Sequence, residues 1–155
     1  MLVPLLLGLI TVIVSMAIQV TAVVVMLRYL MKVVSDPSNA NAGIFFDSYV
    51  ISIVMLVLFT GHSVQVAAWA TLFQSLGEFG NFQTAFYHSM VNFTSLGYGD
   101  IVMSERWRLL GALEASVGIL MFGLSAGIMI AVMTPLFARH SPTKDQVKKL
   151  HQKYE

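Results

Sequence analysis

Long apolar runs alternate with short polar breaks along this chain. Residues 2–27 contain no ionisable side chain. Residues 45–76 contain only Asp47 at the start and His62 further in, and residues 109–138 contain one acid, Glu114. A helix crossing about 30 Å of hydrocarbon needs roughly 20 mostly apolar residues, so each run predicts a membrane span. Arg28 and Lys32 follow the first run, and Asp36-Pro37-Ser38-Asn39 then supplies turn-forming residues. The first run has no basic stretch ahead of it and is longer than the apolar core of a signal peptide, so a retained span is expected there. Residues 82–93 are mostly apolar without Gly or Pro and predict a helix of about three turns. That is too short to cross a bilayer and suits a re-entrant segment. The fold expected is therefore an all-α membrane protein with three spans and one short helix between the second and third.

Composition sharpens this picture. Apolar residues make up 57% of the chain, charged residues 11%, and mean hydropathy is +0.77, which excludes a disordered chain and points to a lipid bilayer as the solvent. A net charge of +1 leaves no basic face for a nucleic acid. The absence of Cys excludes disulfides and thiolate chemistry. No nucleophile–base pair suggests an enzyme or a small-molecule substrate, and no span carries an Arg ladder for voltage sensing. Arg28 and Lys32 lie on one side of the three spans together with Arg139, Lys144, Lys148, Lys149 and Lys153, seven of the nine basic residues. The excess predicts a cytoplasmic linker and C-terminus and an external N-terminus. Trp69 and Trp107 near the outer ends of their spans fit the membrane interface.

The segment after the short helix reads Thr94-Ser95-Leu96-Gly97-Tyr98-Gly99-Asp100. Irregular backbone at membrane depth survives only when buried in protein or lining a wet cavity. Gly97 and Gly99 permit positive φ, so successive carbonyls can point one way, and four such strands around an axis could replace the water shell of a monovalent cation. This seven-residue run resembles the potassium-channel signature. Gly118-Ile119 and Phe122-Gly123-Leu124 resemble the inner helix of small bacterial potassium channels, and Trp107 stands where they often carry Trp. The similarity covers roughly residues 45–138 and not 1–44.

The resemblance implies a division into an extra span and linker (1–43), a pore module (44–138) and a basic cytoplasmic tail (139–155). Within the module it implies an outer helix at 45–76, a pore helix at 82–93, a filter at 95–99 and an inner helix at 107–138. It also implies a homotetramer in a bacterial inner membrane that passes K+ without any cofactor. Backbone carbonyls of Ser95, Leu96, Gly97, Tyr98 and Gly99 would hold the ion, the Ser95 hydroxyl would line the innermost site, and Thr94 and Asp100 would flank them. Ser95 keeps an oxygen but lacks the β-branch that fixes χ1, and Leu96 is expected to pack against the pore helix. Tyr98 separates the chain from relatives with Asp there, whose filters are non-selective. Some bacterial channels clamp the filter with a Glu at the position of Val91, which cannot do so here. Tyr87 or His88 is instead expected to hydrogen-bond the Tyr98 hydroxyl. A non-selective cation channel and a non-conducting structural or sensor subunit are the alternative readings.

Several residues inside the spans add candidate chemistry. Glu114 is read as a protonated structural acid hydrogen-bonded to the short helix, with a proton-sensitive or cation-attracting group near the glycine-containing segment as the alternative. His62 and Gln65 share a helical face and suggest an interhelical contact rather than a proton gate or metal site. Gly118 and Gly123 are read as a gating hinge, centred on Gly118 by resemblance, with close packing at these glycines and at the Gly123–Gly127 GxxxG pair as the other reading. Thr134-Pro135 is expected to weaken the last span near its inner end. Ile119, Phe122, Ala126 and Ile130 at helical spacing would line a cavity. Glu78 and Glu105 read as solvated loop acids. Val147, Leu150 and Tyr154 suit either a short tail helix on anionic lipid or a frayed tail.

Overall fold

A computed structural model of the chain describes residues 2–34, 36 and 43–140. Four helices follow one another: α1 (Leu2–Val34), α2 (Ile44–Ser75), α3 (Phe82–Phe93) and α4 (Arg108–His140). No strand occurs among the described residues. α1, α2 and α4 are long and apolar enough to cross a membrane, and the short helix has the bounds expected of it. The turn-forming Pro37-Ser38-Asn39 and the amphipathic tail lie outside the described residues. α1 continues past Arg28 and Lys32, where cations near a helix C-terminus complement its dipole. α4 runs through Pro135 to His140 without ending. Proline removes one backbone donor, which the turns on either side of it tolerate, so the expected weak point is not a break.

α1 packs on α2 and α4, and α3 is held between α2 and α4. One core gathers around α3, with Trp69, Phe73, Phe79, Phe93, Trp107, Leu110, Val117 and Met121. A second, around Met26, Leu30, Val50, Val54, Leu58 and Leu136, joins the other ends of the spans. Asp47 and Arg139 pair there at 3.8 Å, tying the start of α2 to the end of α4. Both tryptophans are buried in the first core, not set at a lipid interface as their position near the span ends suggests. The Trp69 indole N–H donates to Ser15 Oγ of α1 at 3.1 Å, so its one polar atom is satisfied inside the protein.

That bond belongs to a polar seam across the three spans. Gln65 Nε2 donates to Gln19 Oε1 at 2.8 Å, Gln19 Nε2 donates to Ser125 Oγ at 3.3 Å, and His62 Nε2 meets the same hydroxyl at 3.0 Å. Apolar side chains gain little from one another in a lipid solvent, and interhelical hydrogen bonds supply part of the missing drive. The seam adds polar ties between α1 and the other two spans to the apolar contacts that Met26 and Leu30 already make. Ser15, Gln19 and Ser125 escaped the sequence reading. The signal was present in the four-residue spacing of Ser15 and Gln19, which matches that of Gln65 and Trp69.

Candidate functional site

The site begins where α2 stops. Gly77 adopts φ +77°, and the Glu78 amide reaches back to the Phe73 carbonyl at 3.1 Å while Gly77 N–H bonds Gln74. This left-handed C-cap needs glycine. Glu78, which the sequence suggested was a solvated loop acid, instead accepts from both the backbone N–H and the hydroxyl of Ser104, each at 2.7 Å. Its carboxylate closes the loop before α3 onto the loop after the glycine-containing segment. Asn81 caps α3, its side chain accepting from Thr84 N–H at 2.8 Å.

At the other end of α3 the amide of Ser95 meets the Asn92 carbonyl at 2.8 Å and that of Leu96 meets Val91 at 3.0 Å. The Thr94 hydroxyl donates to the Met90 carbonyl at 2.7 Å. The carbonyls of Met90, Val91 and Asn92 are thus satisfied, and the chain leaves in a different geometry. Ser95, Gly97 and Gly99 have φ of +57°, +59° and +73°, with Leu96 and Tyr98 between them at negative φ. Positive φ at every second residue is a pattern that neither helix nor strand has, since φ is negative throughout both. Gly97 and Gly99 adopt the backbone expected of them; Ser95 is the addition. A β-branched residue at positive φ is a genuine strain, so the exchange of Thr for Ser here has a conformational advantage that the sequence alone did not suggest.

Around this segment the partners differ from expectation. Tyr87 Oη donates to Asp100 Oδ2 at 2.7 Å, and the carboxylate pushes the phenol above its usual range. His88 Nδ1 donates to the Ile101 carbonyl at 3.1 Å and Nε2 accepts from the Asn92 amide at 2.9 Å. Those two bonds fix a neutral tautomer, and burial between Phe73 and Phe79 pushes the imidazole below its usual range. The Tyr98 hydroxyl is the partner of neither residue. Tyr98 is 67% exposed and Leu96 54%. The braced point is Asp100, just past the last glycine. Tyr87→Phe is expected to speed the decay of conduction several-fold during sustained ion flow; an unchanged decay in single-channel or flux records would remove Tyr87 from that role.

α4 supports α3 from behind. Ser89 hydrogen-bonds Glu114 of α4 and the Val66 carbonyl of α2 at 2.9 Å. A Cβ on Gly118 would stand 1.8 Å from the Phe93 carbonyl oxygen, while one on Gly123 or Gly127 would meet nothing within 4 Å. The close approach therefore lies at Gly118, not at the GxxxG pair. Ile119, Ala126 and Ile130 are exposed along α4. Phe122 is exposed along the same stripe and also packs against His62 and Phe93, at ring distances of 5.0 and 5.7 Å.

Residues 52–134, more than half of the chain, match a family model described as ion channel. The chain belongs to that ion-channel family. No curated protein and no solved structure matches it. The family is not one of enzymes, and with three apolar helices the channel is an integral membrane protein. The match begins inside α2 and ends inside α4, so it takes in the short helix and the alternating segment and leaves out α1.

Proposed function

We propose that the protein is a potassium-selective channel in which four chains surround one pore. The observation that carries this reading is the alternation of φ over residues 95–99 at the end of α3. One chain supplies one row of carbonyls, and a dehydrated K+ needs oxygens on all sides, so a closed ring of four is the natural completion. Ions shed water, pass in single file between rings from Ser95, Leu96, Gly97, Tyr98 and Gly99, and are displaced by the next ion. The Ser95 hydroxyl faces the innermost ring. The negative end of the α3 dipole lies at that ring and favours a cation there. Exposure of Leu96, Tyr98 and the α4 stripe in the single chain suits surfaces that neighbouring copies cover. The excess of basic residues beside the linker and tail supports a cytoplasmic C-terminus and an external N-terminus, and the resemblance to small bacterial channels supports the cell membrane of a bacterium.

The test is flux from liposomes under a potassium or a sodium gradient, with the oligomer measured in the same preparation. Uptake driven by potassium and not by sodium is expected. Equal rates would make the pore a non-selective cation channel, and no flux from an intact tetramer would make the protein a non-conducting subunit.

A further inference from the structure

Ser89 poses a problem of hydrogen counting. Its hydroxyl oxygen lies 2.9 Å from the Val66 carbonyl oxygen and also contacts Glu114 Oε1. A hydroxyl has one hydrogen to give, and a carbonyl has none. The bond to Val66 therefore takes the Ser89 hydrogen, and the bond to Glu114 needs one from the carboxyl. We infer that Glu114 is held as a neutral acid whose Oε1–H donates to Ser89, which donates in turn to Val66, so that a chain of two hydrogen bonds, begun by the carboxyl proton, links α4, α3 and α2.

The surroundings agree with this assignment. Glu114 is 0% exposed. Among the described residues, the polar groups against its carboxyl are Ser89, the Asn92 amide and, through Ser89, the Val66 carbonyl, and none of them is a cation. Oε2 is buried without a hydrogen bond. On a carboxylate that oxygen would be an unpaired charge inside a membrane protein, the costliest arrangement available. On a neutral acid it is an under-used carbonyl, which folded proteins tolerate.

The tie has a position that matters for conduction. Ser89 meets Glu114, and one turn further along both helices the Phe93 carbonyl meets Gly118. These two rungs set the register between α4 and the end of α3 from which residues 95–99 depart. Glu114 is thus a positioning residue, acting on the pore through α3. Its effect on conduction rests on the function proposed above, while the placement of the proton does not.

Infrared spectra of the purified channel in lipid test the proton directly. Wild type is expected to show the carbonyl stretch of a protonated carboxylic acid that is missing from Glu114→Gln. Loss of a carboxylate band instead would overturn the inference. Potassium flux and thermal stability form a second arm. The amide of Glu114→Gln can still donate to Ser89 and is expected to rescue both, whereas Glu114→Ala, with no donor, should lower flux by about tenfold. Equal damage from Gln and Ala would also overturn it. A wild type that passes no potassium yet shows the acid band would fail the channel reading and leave the proton in place.

Discussion

Gly97→Ala or Gly99→Ala should reduce potassium flux to background while leaving the oligomer intact. At neither position would an added methyl group meet another atom within 4 Å, so the cost does not come from collision within the chain. It comes from the backbone. These residues hold φ of +59° and +73°, and a side chain there costs roughly 1–2 kcal/mol per residue. In the proposed ring of four chains the cost applies four times, for a total of about 4–8 kcal/mol. Relief is easy, because rotating one peptide plane returns the residue to negative φ. That rotation also turns a carbonyl out of the row and removes one complete ring of oxygens. The measurement is liposome flux beside size-exclusion chromatography. Wild-type flux from either variant would mean that the positive φ, and with it the row of carbonyls, is not what conducts. Ser95 already bears φ +57° with a side chain, so the same geometry is affordable at one step. Tolerance at Ser95 and intolerance at the glycines together would locate the strain.

Much of this architecture could be read from the chain because it is written in local terms. Span length and apolar runs are properties of consecutive residues, and so is the absence of Gly and Pro that defines α3. The positive φ at Gly97 and Gly99 was legible for the same reason. The position of Ser95 in the alternation was not, since an ordinary residue gives no local sign that it will take left-handed backbone. Partners were harder still. Gln19 with Ser125 and Gln65 with Gln19 lie 106 and 46 residues apart, and nothing short of the packed helices brings them together. Trp69 looked interfacial because its polar N–H usually seeks water, but Ser15 on another span satisfies it. Tyr87 found Asp100 and not Tyr98 because the turn after Gly99 returns the carboxylate to the face of α3. Glu114 pointed to the short helix from sequence, yet the direction of its hydrogen bond depends on Val66, a residue without polar side-chain chemistry.

Gly118→Ala separates two uses of glycine that sequence cannot tell apart. A hinge glycine gives freedom, and replacing it with Ala stiffens the helix and adds up to about 1 kcal/mol of helix propensity. A packing glycine gives room, and replacing it forces atoms apart. A Cβ at 118 would lie 1.8 Å from the Phe93 oxygen and 2.8 Å from its carbonyl carbon. Both are backbone atoms at the last residue of α3, so no side chain can swing aside. α4 would have to retreat by roughly 1.5 Å to reach ordinary contact distance, or Phe93 would have to carry the start of residues 94–100 with it. Overpacking of this kind costs about 1–3 kcal/mol, or roughly 2–12 °C in Tm for a chain of this size. Gly118→Ala is therefore expected to lower both thermal stability and flux. Gly123→Ala, whose Cβ meets nothing within 4 Å in the chain, should keep or raise the stability of the protomer. Thermal unfolding in detergent followed by flux in liposomes measures both. If Gly118→Ala melts at the wild-type temperature and alters only the opening of the pore, the close approach to Phe93 is not a structural constraint, and the hinge reading stands in its place.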